Sequence, residues 1–137
     1  GSGSGVVAIA CAMAGAQQSI ACDLDPQALL ASTLNAALNG VKLTLAEDFF
    51  AVTGDIDLIL AADVLYDSNN RVFLEHFRQR AASTMLADSR VRDLHPGYRL
   101  LSRLQGQTWP DLGEPLAFRK VALYGNTRGP AVCPEHP

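Results

Sequence analysis

GSGSGVVAIACAMAGAQQSIACDLDP, residues 1–26, is the stretch on which the reading of the chain turns. A glycine-rich turn runs straight into an apolar, alanine-rich segment, and the acidic pair of ACDLDP follows about 20 residues after the turn. Glycines let the backbone approach a ligand closely, and a carboxylate at that distance can accept hydrogen bonds from ribose hydroxyls. The pairing points to a nucleoside-type cofactor. Such a turn ordinarily follows a buried strand, so the sequence predicts that the strand carrying it is missing from this chain.

Outward from this stretch, strand and helix signals alternate. Val6 to Ala14 is continuously apolar or small and ends at Gly15, which predicts a helix packed on a sheet. Ser19 to Cys22 reads as a short buried strand. Asp25 before Pro26 supplies a helix cap followed by proline at the first helical position. The helix that begins there carries Leu29, Leu30, Leu34, Ala37 and Leu38 at helical spacing and stops at Asn39-Gly40. Val41 to Ala46 and Asp57 to Ala62 read as strands, with a short helical turn between them. A helix over Asn70 to Ala82 and a strand over Thr84 to Ala87 follow. In the last third, Gly97 to Gln105 suits a helix, while Gln107 to Trp109 and Leu116 to Tyr124 suit an antiparallel hairpin. The expected fold is therefore α/β: Rossmann-like, doubly wound, with a mostly parallel sheet and an antiparallel C-terminal edge hairpin.

At 137 residues and 48% hydrophobic content the chain suits one domain. The predicted core is 1–125, N-terminally truncated, with a flexible tail over 126–137, where proline and glycine interrupt any apolar face. No run of 18 apolar residues and no basic leader occurs, so the expectation is a cytoplasmic protein without a membrane partner. Cys11, Cys22 and Cys133 form no CxxC pair and read as reduced packing residues. His76, His95 and His136 are scattered and make no metal site. Residues 1–67 hold eight acids and one base, Lys42, whereas residues 68–137 hold six acids and ten bases. The first half suits a cationic cofactor and the second an anionic group or acidic partner surface. No basic run with interleaved aromatics occurs, so nucleic acid is not favoured.

The dinucleotide fingerprint GxGxxG would need glycine at position 6, where Val6 stands. The observed GxGxG spacing favours the turn used for S-adenosyl-L-methionine. GSGSG, ACDLDPQALLASTLNAALNG, AEDFF and LAADVLYD, taken in order, resemble the core of the seven-strand, class I S-adenosylmethionine-dependent methyltransferases over roughly residues 1–125. DVLY is similar to the DxxY signature of a branch rich in protein-lysine methyltransferases. ADSRVRD and RKVALYG resemble bacterial relatives of the electron-transfer-flavoprotein β-subunit lysine methyltransferases, and DLDPQAL resembles ribosomal-protein methyltransferases.

The resemblance implies a set of roles. Gly1, Gly3 and Gly5 would bring backbone amides to the methionine part of the cofactor. Asp23 would accept from both ribose hydroxyls, whereas Asp25 is a helix cap first. Asp48 would accept from the adenine amine, with Glu47 adjacent as the alternative, and Leu24 and Phe49 would sandwich the ring. At least one of Phe49 and Phe50 is expected in the core. Asp63 would contact the cofactor, orient the acceptor amine and help carry its proton, and Tyr66 would wall the channel and stabilise the developing cation with its ring face. Arg90 and Arg92 have two readings, a contact to an acidic patch on a protein substrate or solvated pairs with Asp88 and Asp93. The implied activity is N-methyl transfer to a lysine of a protein substrate. The alternatives are a small-molecule acceptor or a non-catalytic fragment. Without the central strand, two inner sheet edges would lie unpaired, so the isolated chain is expected to fold poorly and bind cofactor weakly.

Overall fold

The computed structural model describes residues 1–91, 94, 97–107, 110–113 and 115–127. It divides into two compact units, Gly1–Gly54 and Asp55–Pro137. The first contains α1 (Val6–Met13), β1 (Ile20–Cys22), α2 (Pro26–Leu38) and β2 (Thr44–Ala46). The second contains β3 (Ile56–Ala62), α3 (Phe73–Arg80), β4 (Ala81–Asp88), β5 (Arg99–Gln105) and β6 (Lys120–Thr127).

In the first unit β1 and β2 run parallel, with Ile20, Ala21 and Cys22 opposite Thr44, Leu45 and Ala46. Local chemistry starts and stops α2 as expected. The Asp25 side chain accepts from the Gln27 amide at 2.9 Å, Pro26 follows, and Gly40 closes the helix at φ 66°. The buried face of α2 differs from the leucine stripe expected of it. Leu29, Ser32 and Ala36 are buried, while Leu30, Leu34 and Leu38 are exposed. The buried face is the one that carries Ser32, against which the glycine turn packs so closely that a Cβ on Gly5 would lie 3.1 Å from Ser32 Cα.

In the second unit the strand order is β3-β4-β6-β5, parallel for β3/β4 and antiparallel for β4/β6 and β5/β6. Thr84, Leu86 and Asp88 are buried at alternate positions of β4, the period of a strand with a covered face. Leu74 and Phe77 of α3 are also in the core, and Tyr98 donates its hydroxyl to the Leu74 carbonyl at 2.8 Å. Burial pushes the Tyr98 phenol above its ordinary range. Among the described residues, β1 and β3 each ladder with another strand along one edge only.

Four expectations are corrected here. Residues Arg99–Gln105 form strand β5, not a helix, pairing with β6 from Arg99 opposite Gly125 to Gln105 opposite Lys120 through an irregularity between Leu100 and Ser102. Adjacent leucines fit either state, and the open edge of β6 needs backbone partners, which a strand supplies and a helix cannot. The antiparallel pairing therefore joins Arg99–Gln105 to Lys120–Thr127, and Leu116–Arg119 is a turn. β4 also begins at Ala81, directly after α3, earlier than the apolar pattern suggested. Strand β6 runs on through Thr127, so residues 126 and 127 of the predicted tail belong to the sheet. Residues 128–137, Thr108 and Trp109, and Arg92, Asp93 and His95, with the readings placed on them, lie outside the described residues.

Candidate functional site

The predicted site residues fall into two groups, one in each unit. In the first unit, Gly1 and Ser2 donate to the Cys22 carbonyl, each at 2.9 Å, which lays the glycine turn along the end of β1. Gly3 donates its amide to Asp23 Oδ2 at 2.8 Å, and Asp25 donates to Asp23 Oδ1 at 3.0 Å. Burial by itself would raise the Asp23 carboxyl. The amides of Asp25, Gly3 and Leu24 and the amine of Gly1 outweigh burial and hold the group below the usual carboxylate range. Asp23 is thus an ionised anchor for the turn, and each oxygen keeps a lone pair for a further donor.

Gly3 and Gly5 have different tasks. Gly3, at φ 55°, has nothing within 4 Å of the space a Cβ would fill, so its surface is open to a ligand. Gly5, at φ 81°, is packing-limited: a Cβ would lie 2.8 Å from Ser32 Oγ and 3.1 Å from Ser32 Cα. Two residues missed in the sequence complete this turn. Ser32 Oγ donates to the Gly3 carbonyl at 3.0 Å, and Asn35 Nδ2 donates to the Ser4 carbonyl at 2.9 Å. Their only signal was spacing, two of the polar positions of α2 standing three apart and so on one face, beside Gln27 and Thr33.

The register of β1 and β2 sets the ends of both strands level, and Asp23 donates its amide to the Ala46 carbonyl at 3.0 Å. Asp48 therefore leaves β2 close to where Asp23 leaves β1. Asp48 is exposed, with Oδ1 accepting from the Phe50 amide at 2.9 Å. Leu24 is 81% exposed, a surface leucine available to cover a planar ring. Neither Phe49 nor Phe50 is in the core: Phe49 is half-buried, Phe50 is 62% exposed, and their rings meet edge to face at 5.3 Å. The single helical turn that Asp48 caps carries no buried residue, which is why the expected core phenylalanine is absent.

In the second unit, Asp63 ends β3 and donates its amide to the Ala87 carbonyl of β4 at 2.9 Å. It is the one non-glycine residue with positive φ, 53°, among the described residues. A non-glycine residue pays for that conformation, which persists where surrounding contacts enforce it and often marks a working site. Its side chain is exposed and, among the described residues, caps no helix or turn. The next cap is made by Asp67, which accepts from the Asn69 amide at 2.9 Å, and Asn70 braces the loop by donating to the Val64 carbonyl at 2.8 Å. Tyr66 is 67% exposed, and the Arg90 guanidinium lies over its ring at 5.9 Å from the centroid. One ring face expected to meet the acceptor is therefore shared with a resident cation. Arg90 makes no side-chain pair with Asp88, whose Oδ1 instead accepts from the backbone amides of Arg90 and Val91 at 2.7 and 2.8 Å.

Parallel strands with acids and a glycine turn at their carboxyl ends define the class: a Rossmann-like fold of the S-adenosylmethionine-dependent methyltransferases. Magnesium protoporphyrin IX methyltransferase from Synechocystis PCC 6803, solved with bound S-adenosylmethionine, superposes with a TM-score of 0.67 at 19% identity, covering 94% of this chain and 67% of that one. The family follows from the sequence comparison. Residues 1–73 match the ribosomal protein L11 methyltransferase (PrmA) family, and the chain belongs to it. The L11 methyltransferase of Haemophilus ducreyi is 54% identical over 52 residues, 35% of this chain and 18% of that protein. The electron transfer flavoprotein beta subunit lysine methyltransferase of Mus musculus is 42% identical over 72 residues, 50% of this chain and 28% of that protein. The chain thus spans less than a third of the length of these relatives.

Proposed function

We propose that this chain carries the cofactor and methyl-transfer elements of an S-adenosylmethionine-dependent N-methyltransferase acting on a lysine side chain of a protein substrate. The observation that carries the reading is the tethered turn, in which Asp23 holds the Gly3 amide at 2.8 Å while the outer surface of Gly3 stays open. The residues fit the cofactor. Gly3 leaves room for its methionine part and Gly1 is exposed two residues before it, whereas Gly5 serves packing. The free lone pairs of Asp23 suit ribose hydroxyls, Asp48 suits the adenine amine, and Leu24 and Phe49 suit the ring faces. When bound there, S-adenosylmethionine would supply a methyl group on a sulfonium, open to in-line attack by a neutral amine with the thioether, S-adenosylhomocysteine, as leaving group.

The protein's task is then orientation and proton handling. Asp63, exposed and aimed by a constrained backbone, accepts a hydrogen bond from the acceptor amine and points its lone pair, and its carboxylate helps draw off the proton. The Tyr66 ring walls the approach and stabilises the cation that forms. The names of the L11 and flavoprotein-subunit relatives support a protein acceptor, and a cytoplasmic place is consistent with a ribosomal-protein substrate.

The test is incubation of the full-length protein with methyl-labelled cofactor and cell lysate. A discrete labelled protein band, lost in Asp63→Ala, is expected. Label confined to the low-mass fraction would instead establish a small-molecule acceptor.

A further inference from the structure

The second unit holds a cation that the methyl-transfer reading does not use. Arg90 follows β4, and its guanidinium carbon lies 5.9 Å from the Tyr66 ring centroid and 5.1 Å from that of Phe118. Three segments distant in sequence therefore converge on one side chain. The turn beneath it is built firmly. Asp88, 2% exposed, accepts the amides of Arg90 and Val91, and Tyr124 donates its hydroxyl to the Val91 carbonyl at 3.3 Å.

A guanidinium that meets aromatic faces keeps its N–H donors at the edge of its plane, directed away from the rings. Among the described residues no carboxylate lies within ion-pairing distance of Arg90, although Arg78 and Arg119 pair with Glu75 and Asp111. Arg90, Tyr66 and Phe118 are all solvent-accessible. An arginine held in place, exposed and with no carboxylate on its donors among the described residues, is organised in advance for a planar anion. Its position names the partner. Tyr66 stands three residues after Asp63, whose amide bonds the carbonyl of Ala87, the residue before Asp88. The neighbouring carboxylates of Asp63 and Asp67 would repel a polyanion but tolerate a single carboxylate.

We propose that Arg90, held by Tyr66 and Phe118, binds the carboxylate of a glutamate or aspartate lying beside the target lysine of the substrate. This assignment rests on the protein-lysine reading of the same site and makes Arg90 a specificity residue, not a catalytic one.

The experiment uses the full-length protein with S-adenosylhomocysteine and two synthetic peptides, each with one central lysine. One peptide has flanking glutamates and the other flanking glutamines. Binding is measured by fluorescence anisotropy, and methyl transfer is followed separately with S-adenosylmethionine. The acidic peptide is expected to bind about tenfold more tightly, as one charge-assisted bidentate contact would give, and to show a correspondingly lower KM with little change in kcat. Arg90→Ala should bring the ratio to about one, Arg90→Lys should leave about threefold, and Arg90→Glu should reverse it. Wild-type protein that treats the peptides alike, negligible binding of both included, overturns the proposal, as does an unchanged ratio in Arg90→Ala. The wild-type comparison does not depend on any variant folding. Arg90-dependent binding of the acidic peptide with no methyl reaching its lysine would leave the carboxylate site at Arg90 standing and count against the lysine-methylation reading.

Discussion

Asp23 and Asp63 occupy matching places in the two units. Each follows a strand that pairs in parallel with its neighbour, and each donates its amide to a carbonyl at the neighbour's end, Ala46 at 3.0 Å and Ala87 at 2.9 Å. Their side chains are used differently. Both oxygens of Asp23 already accept backbone amides, so this carboxylate holds the glycine turn and is kept ionised by it. Asp63 has the strained backbone, at φ 53°, and an exposed side chain. The same position thus yields an anchor in one unit and a reactive group in the other. The difference lies in whether nearby amides anchor the carboxylate, as they do in Asp23 while leaving each oxygen a lone pair for a ligand.

The largest expected effect separates the two acids by activity. Asp63→Ala should lower methyl transfer about 1000-fold, the loss of a positioned proton acceptor, with thermal stability unchanged or slightly lowered, because alanine tolerates a positive φ less well than aspartate. Asp63→Gly should be as inactive and more stable than the alanine variant by about 1 kcal/mol, because glycine relieves the positive φ. A destabilised Asp63→Gly would remove the argument for strain.

Next come the glycines. Gly5→Ala combines a positive φ with a Cβ pressed on Ser32, and the unfolding free energy from denaturant titration should fall by about 3 kcal/mol. Gly3→Ala has free space at the same site type, so it should cost about 1 kcal/mol in stability and show its main effect on S-adenosylhomocysteine affinity by calorimetry. Equal stability losses would contradict the division between a packing glycine and a ligand glycine.

Asp23→Asn should cost about 1 to 2 kcal/mol, since the amide keeps one acceptor but loses the charge. The pH dependence has a definite sign. A carboxyl held below its ordinary value of about 4 stabilises the fold fully above that value, and the contribution disappears as pH falls through the lower folded-state value. Acid titration of the unfolding midpoint should therefore be shallower in Asp23→Asn than in the wild type between about pH 5 and the folded-state value. The smallest effect belongs to Ser32→Ala. It loses the bond to the Gly3 carbonyl and should destabilise by about 1 kcal/mol in urea titrations, with a modest loss of cofactor affinity.

The anchor side of this comparison was the more legible in the sequence. Asp25 before Pro26, Asn39-Gly40 at the end of α2 and the acids closing β1, β2 and β3 stand where their patterns put them. The free side was harder to read, because nothing in DVLY distinguishes a capping aspartate from an unpartnered one until Asp67 takes the cap. The leucines of α2 misled, since Leu30, Leu34 and Leu38 have helical spacing yet face outward. Leu100, Leu101 and Leu104 misled in a related way, because apolar spacing in a short segment does not separate a helix from an edge strand.

By itself the sequence determined the features whose partners lie within a few residues. The caps at Asp25 and Asp48 each close a hydrogen bond two residues on, and Gly40 supplies a conformation that other residues resist. Local bonds need only local order, and composition encodes them directly. Tertiary structure alone decided that Gly5 must yield to Ser32, that Arg99–Gln105 completes the edge of β6, and that Tyr66, Arg90 and Phe118 meet. Each of these joins residues more than 14 positions apart. Such contacts arise from which backbone edges need partners and which side chains leave room, and no spacing along the chain records that.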